Sequence, residues 1–63
     1  MKKALMKKIV NSTLKIIGES LYSSKDPMQI KTYAMAKTAI EMNVPLEDVE
    51  YCIEAYRQGD LRI

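Results

Sequence analysis

Residues 35–52 constrain this chain most, because small or apolar side chains fall where two helices joined by a tight turn have to pack. Ala39, Met42, Val44, Val49 and Cys52 occupy the spacing of a helix-turn-helix unit. Asn43 takes the turn position that demands a positive φ, which asparagine tolerates better than most non-glycine residues. On the second helix of such a unit, Pro45, Leu46, Glu47, Glu50, Tyr51 and Glu54 point outward. A helix that reads bases presents Arg, Lys, Asn or Gln to their edges. Three glutamates would instead repel phosphate, whose neutralisation supplies most of the affinity for DNA. The spacing is that of a DNA reader, and the charge argues against DNA reading by this helix.

The chain has 63 residues, enough for one domain. A fold this small buries only about 60% of its unfolded surface, so self-association is a natural supplement and a homo-oligomer is expected. One cysteine leaves no internal disulfide, and the sequence has no histidine. Stability therefore has to come from helix packing. No apolar run approaches the roughly 20 residues that span a bilayer. Lys7 and Lys8 interrupt what would be the apolar core of a secretory signal, and no small-residue cleavage site follows. A soluble cytoplasmic protein is expected, and the unpaired Cys52 suits a reducing compartment.

Helical periodicity predicts an all-α domain with helices over about 2–22, 27–42 and 45–58. In the first, Leu5, Ile9, Thr13, Ile16 and Ile17 fall with Met6, Val10, Leu14 and Leu21 within one half of the helical wheel, opposite Lys7, Lys8, Asn11 and Lys15. Gly18 is a weak point where this helix is expected to bend or fray. Ser23-Ser24-Lys25-Asp26-Pro27 is the first break, and Asp26 before Pro27 is a strong helix start. In the second helix, Met28, Met35 and Met42 recur every seven residues beside Ala39, while Ile30, Tyr33, Ala36 and Ile40 line another side. A helix apolar on two sides is expected to lie between two neighbours. Asn43-Val44-Pro45 is the second break. The third helix is expected to bury Leu46, Val49, Cys52, Ile53 and Tyr56, although Leu46 also falls on the outward face. Glu47 and Asp48 open this helix, Arg57 closes it, Gly59 terminates it, and Asp60 to Ile63 form a short tail. Residues 1–63 form a single domain, with a basic amphipathic helix over 1–23 and a helical hairpin over 26–59.

The charge is divided along the chain. Residues 1–40 hold eight lysines against Glu19 and Asp26, a net +6; residues 41–63 hold six acids against Arg57 and Arg62, a net −4. The acidic strip reads either as a solvated helix face or as a docking surface for a basic partner with Tyr51 as anchor. Tyrosine is enriched among residues that dominate binding energy, and charges set encounter rate and partner choice. On the first helix, Lys2, Lys3, Lys7, Lys8 and Lys15 form a solvated face or, alternatively, a contact for nucleic-acid phosphate. A membrane-surface role is a further alternative, with no Trp or Phe to anchor it. The apolar half of this helix is wider than one small neighbour covers. Leu5, Ile9 and Ile16 are therefore expected to meet a second subunit or a partner.

Catalysis and cofactors are not expected. Without histidine, the Ser-His and Cys-His nucleophile pairs are unavailable. The two glycines, Gly18 and Gly59, make no phosphate loop. Glu47, Glu50 and Glu54 along one helix make a poor, open cage for a hard cation. A soft-metal site on the methionines would recruit Cys or His as well, so Met28, Met35 and Met42 read as core packing. Cys52 points inward and reads as inert.

The stretch from Ala39 to Glu50 resembles the hairpin of SinI-type anti-repressors, in which an Asn-Ile-Ser-Pro-Glu-Glu-Ile turn joins two helices that swap into a repressor's multimerisation helices. The shared features are Asn43, the aliphatic Val44, the acids Glu47 and Asp48, and the aliphatic Val49. The proline is displaced by one position, and the first helix has no counterpart. The same turn is similar to the antiparallel hairpin of Sda-type histidine-kinase inhibitors. This resemblance implies a regulator that acts through protein contacts, and it transfers no specific target. The expected function is that of a small non-enzymatic regulatory protein that binds a transcription factor or signalling protein through Leu46, Glu47, Glu50, Tyr51 and Glu54.

Overall fold

Helix is the only regular structure among the described residues, which in this computed structural model are 1–21 and 26–62. The elements are α1 (Lys3–Ser20), α2 (Pro27–Met42) and α3 (Leu46–Arg57). Residues 22–25, which hold the expected end of the first helix and most of the first break, and residue 63 lie outside the described residues. Every helix touches the other two. The fold is the all-α three-helix domain that the periodicity predicts.

Local chemistry sets the helix ends. The Asp26 side chain accepts a hydrogen bond from the Met28 amide at 2.8 Å, and Pro27 fills the first turn, where its missing N–H costs nothing. Asn43 closes α2 in the left-handed region, at φ 53° and ψ 49°. Its amide donates to the Ile40 carbonyl (3.3 Å), and the Val44 amide reaches back to the Ala39 carbonyl (3.0 Å). This is a Schellman closure, and it turns Val44 into the interior beside Ala39. Pro45 stands just before α3 as its N-cap, one position earlier than expected, and its carbonyl accepts from the Asp48 and Val49 amides. Glu47 and Asp48 in the first turn and Arg57 in the last complement the helix dipole. By contrast, α1 has no side-chain cap, no acid in its first turn and no base in its last. Its helix runs through Gly18 to Ser20 and depends on packing.

The main core joins Ile9 and Val10 of α1 to Val49, Cys52 and Ile53 of α3, with Met35, Ala39 and Met42 of α2 packed against them. Beyond it, α1 and α2 pack through Thr13, Ile16, Ile30, Ala34 and Thr38, all buried. Thr13 Oγ1 donates to the Ile9 carbonyl (2.9 Å) and is hydrogen-bonded to Thr38 Oγ1 (3.0 Å). Thr38 in turn reaches Ser12 Oγ at 3.5 Å. No buried side-chain polar atom among the described residues lacks a partner, as a small fold requires.

Four expectations need correction. Ile9 and Ile16 are buried inside the chain's own fold, and Leu5 packs against the core, so these residues are not a free oligomer face. Within the wide apolar half of α1, Ile9, Val10, Thr13 and Ile16 are covered by the chain's own fold, while Leu14 and Leu21 stay exposed. On α2, Ile30 is inside, but Ile40 is 81% exposed and Tyr33 is exposed too; Ala34 and Thr38 take the interior positions instead. There Thr38 meets Thr13 of α1 through a hydrogen bond. Leu46 and Tyr56, near the two ends of α3, are exposed. Finally, the short tail expected from Asp60 onward is not free of the domain, because Leu61 packs into the core. Gly59, at φ 84°, forms a second Schellman closure with Asp60 N to Ala55 O at 2.9 Å, which folds Leu61 back into the core at 4% exposure.

Candidate partner-binding face

The inner side of α3 fixes its outer side. Val49, Cys52 and Ile53 are held in the core, so Leu46, Glu47, Glu50, Tyr51 and Glu54 all face solvent. The structure therefore brings together the five residues singled out on this helix. Tyr51 is 65% exposed, more than Tyr33 or Tyr56. Glu54 is partly engaged: it lies 3.5 Å from Arg57 Nη1 and accepts a hydrogen bond from Gln58 Nε2 at 3.0 Å. Glu47 and Glu50 make no ion pair with any described residue.

These carboxylates form a ridge between two clefts, and Glu54 lines both. On one side Tyr51, Glu54 and Gln58 face Met1, Lys3 and Met6. On the other, Glu50, Ile53 and Glu54 face Met28, Lys31 and Met35 of α2. The second cleft was not legible in the sequence. The seven-residue methionine spacing signalled packing, but nothing in it distinguished exposed Met28 from half-buried Met35 and Met42.

Lys2, Lys3, Lys7, Lys8 and Lys15 are all exposed, and none forms an ion pair with a described residue. Lys3 and Lys7, one turn apart, line a cleft with Arg62 and Asp60 that Lys2, Lys8 and Lys15 do not reach.

Cys52 is fully buried, and its thiol donates to the Met1 Sδ at 3.7 Å. Burial pushes the thiol pKa up and Asp48 adds to the rise, with the amino group of residue 1 opposing. A raised pKa keeps sulfur in its less reactive protonated form. Among the described residues no group of three His, Cys, Asp or Glu side chains is placed to hold a metal ion. No described helix is long and apolar enough to cross a membrane.

Fold and face together define a small three-helix domain that displays an acidic, tyrosine-bearing helix. No protein-family model, curated protein or solved structure matches the chain.

Proposed function

We propose that this chain is a small non-enzymatic regulatory protein that binds another protein, such as a transcription factor or signalling protein, through Leu46, Glu47, Glu50, Tyr51 and Glu54. The observation that carries this reading is the exposure of Tyr51 and Leu46 among carboxylates on a helix whose opposite side is fixed in the core. A large aromatic side chain beside Glu47 and Glu50, which make no ion pair with a described residue, has the composition of a binding surface with a hot-spot anchor and steering electrostatics. An affinity capture from the native cell with the wild-type chain and the E50K/E54K variant tests it. The expected result is a protein captured by the wild type and lost from the variant. Equal capture by both would leave the strip merely solvated.

A second reading, nucleic-acid binding through Lys2, Lys3, Lys7, Lys8 and Lys15, is favoured by the lack of ionic partners for these lysines and by the cleft that Lys3 and Lys7 share with Arg62. It predicts binding to duplex DNA or RNA that falls steeply with salt and disappears when those lysines are replaced. A homo-oligomer, also proposed for a domain of this size, has to use surfaces other than Ile9 and Ile16, which the fold already occupies. The same occupation works against a membrane-surface role, because Ile9, Val10 and Ile16 of α1 are turned inward.

A further inference from the structure

We propose that the cleft between α2 and α3 is a docking groove for a basic amphipathic helix supplied by the partner protein. The inference rests on the partner-binding reading of α3 and names the partner's chemistry.

The floor of the groove is apolar and adaptable. Ile53 belongs to the core, Met35 is half-buried above it, and Met28 is 76% exposed. Unbranched thioethers adjust their shape to whatever packs on them, which suits a surface that is covered only in a complex. Met28 and Met35 are seven residues apart, about two turns along α2. An occupant must therefore offer apolar contacts over a similar length, and the i, i+3, i+4, i+7 side of an amphipathic helix does so.

The rim sets the sign of the charge. Glu50 and Glu54 border the groove on α3, and Glu47 continues the ridge beyond it; Lys31 is the one cation on the α2 side. Glu50, which makes no ion pair with a described residue, and Glu54, which shares its charge with Arg57, favour lysines or arginines flanking the occupant's apolar stripe. A second copy of this chain is a poorer match. Its α1 is basic and exposes its lysines, but that helix has turned Ile9, Val10 and Ile16 into its own core. It offers the charge without a continuous apolar face, whereas the groove asks for both.

The test uses the full chain with its methionine methyl groups carbon-13 labelled, and two synthetic peptides of identical composition. One peptide places leucines on a single helical side with lysines flanking that stripe; the other permutes the same residues so that no apolar side exists. The five methionines report separately on the groove (Met28, Met35), the other cleft (Met1, Met6) and the hairpin turn (Met42). The expected result is saturable shifts at Met28 and Met35 with the amphipathic peptide alone, roughly tenfold weaker in E50K/E54K and weakened by salt. An unchanged Met42 signal in that variant, with the helical circular dichroism of the wild type, would certify that its fold is intact. Equal binding of the permuted peptide, or no shift at millimolar peptide, would overturn the proposal. Shifts that grow with protein concentration in the absence of peptide would also overturn it, because a second copy would then occupy the groove. Shifts at Met1 and Met6 in place of Met28 and Met35, still lost in E50K/E54K, would remove the groove while leaving the α3 strip standing. If native capture as well as peptide binding is indifferent to E50K/E54K, the strip itself is refuted.

Discussion

Replacing Leu61 with alanine tests how much of this fold depends on the segment that follows α3. Leu61 belongs to no helix, yet it is nearly as buried as the central residues of α1 and α3. Truncation to alanine removes three carbon groups, about 2.4 kcal/mol of transfer free energy at roughly 0.8 kcal/mol each. A residual cavity would add to this, but a segment outside a helix can settle into the gap. The expected cost is therefore about 2–3 kcal/mol, near the lower end for leucine-to-alanine changes in cores. A domain of 63 residues has roughly 3–9 kcal/mol of total stability, so the loss is a large fraction of it. Urea unfolding followed by circular dichroism is the assay. With a denaturant slope of about 1 kcal/mol per molar, the midpoint should fall by about 2 M. Leu46→Ala, at an exposed position of the same residue type, is the control and should cost less than about 0.5 kcal/mol. Equal midpoints for Leu61→Ala and the wild type would show that the Gly59 closure does not seat Leu61 in the core.

Other perturbations separate the remaining devices. Gly18 has open space around its missing Cβ, so Gly18→Ala should raise stability by about 0.5–1 kcal/mol, read as a higher urea midpoint; a loss would mean α1 needs a flexible point there. Thr38→Val deprives Thr13 of one partner and should cost about 1 kcal/mol, and Thr13→Val somewhat more, because Thr38 keeps only the 3.5 Å contact to Ser12. The double valine variant should cost clearly less than the sum, and strict additivity would mean that the two hydroxyls are not coupled. Cys52 binds its proton more tightly when folded than when unfolded. Raising the pH through the thiol range therefore favours the unfolded chain, and stability should decline more steeply above about pH 8.5 in the wild type than in Cys52→Ala. Identical slopes would contradict the burial of the thiol.

The parts of the fold fixed by neighbouring residues were readable in advance. Asp26-Pro27 and Asn43 specify both ends of α2 through a side-chain cap, a proline and a left-handed residue, none of which needs tertiary information. The outward face of α3 was equally legible, since Val49, Cys52 and Ile53 force Glu47, Glu50, Tyr51 and Glu54 to the other side. What could not be read was which neighbour covers an apolar surface. Ile9 and Ile16 looked available because a helical wheel counts apolar area without showing that α2 and α3 both lie on it. Ala34 and Thr38 were passed over for Ile40, since a close helix contact selects small and mutually hydrogen-bonded side chains over large apolar ones. Leu61 follows a glycine at a helix end, and only the resulting turn reveals that it points back. Met28 and Met35 share a stripe in the sequence, yet only their placement beside Glu50 and Ile53 marks a groove.

The central claim is that the outer face of α3 contacts polypeptide. Replacing Tyr51 with a photoreactive benzophenone amino acid, then irradiating the native cell, tests it most directly. The account predicts a crosslinked protein at position 51 that is absent when the same group replaces Lys15 on α1 and that is suppressed by E50K/E54K. Crosslinks to nucleic acid at position 51, or none above those at position 15, would contradict it.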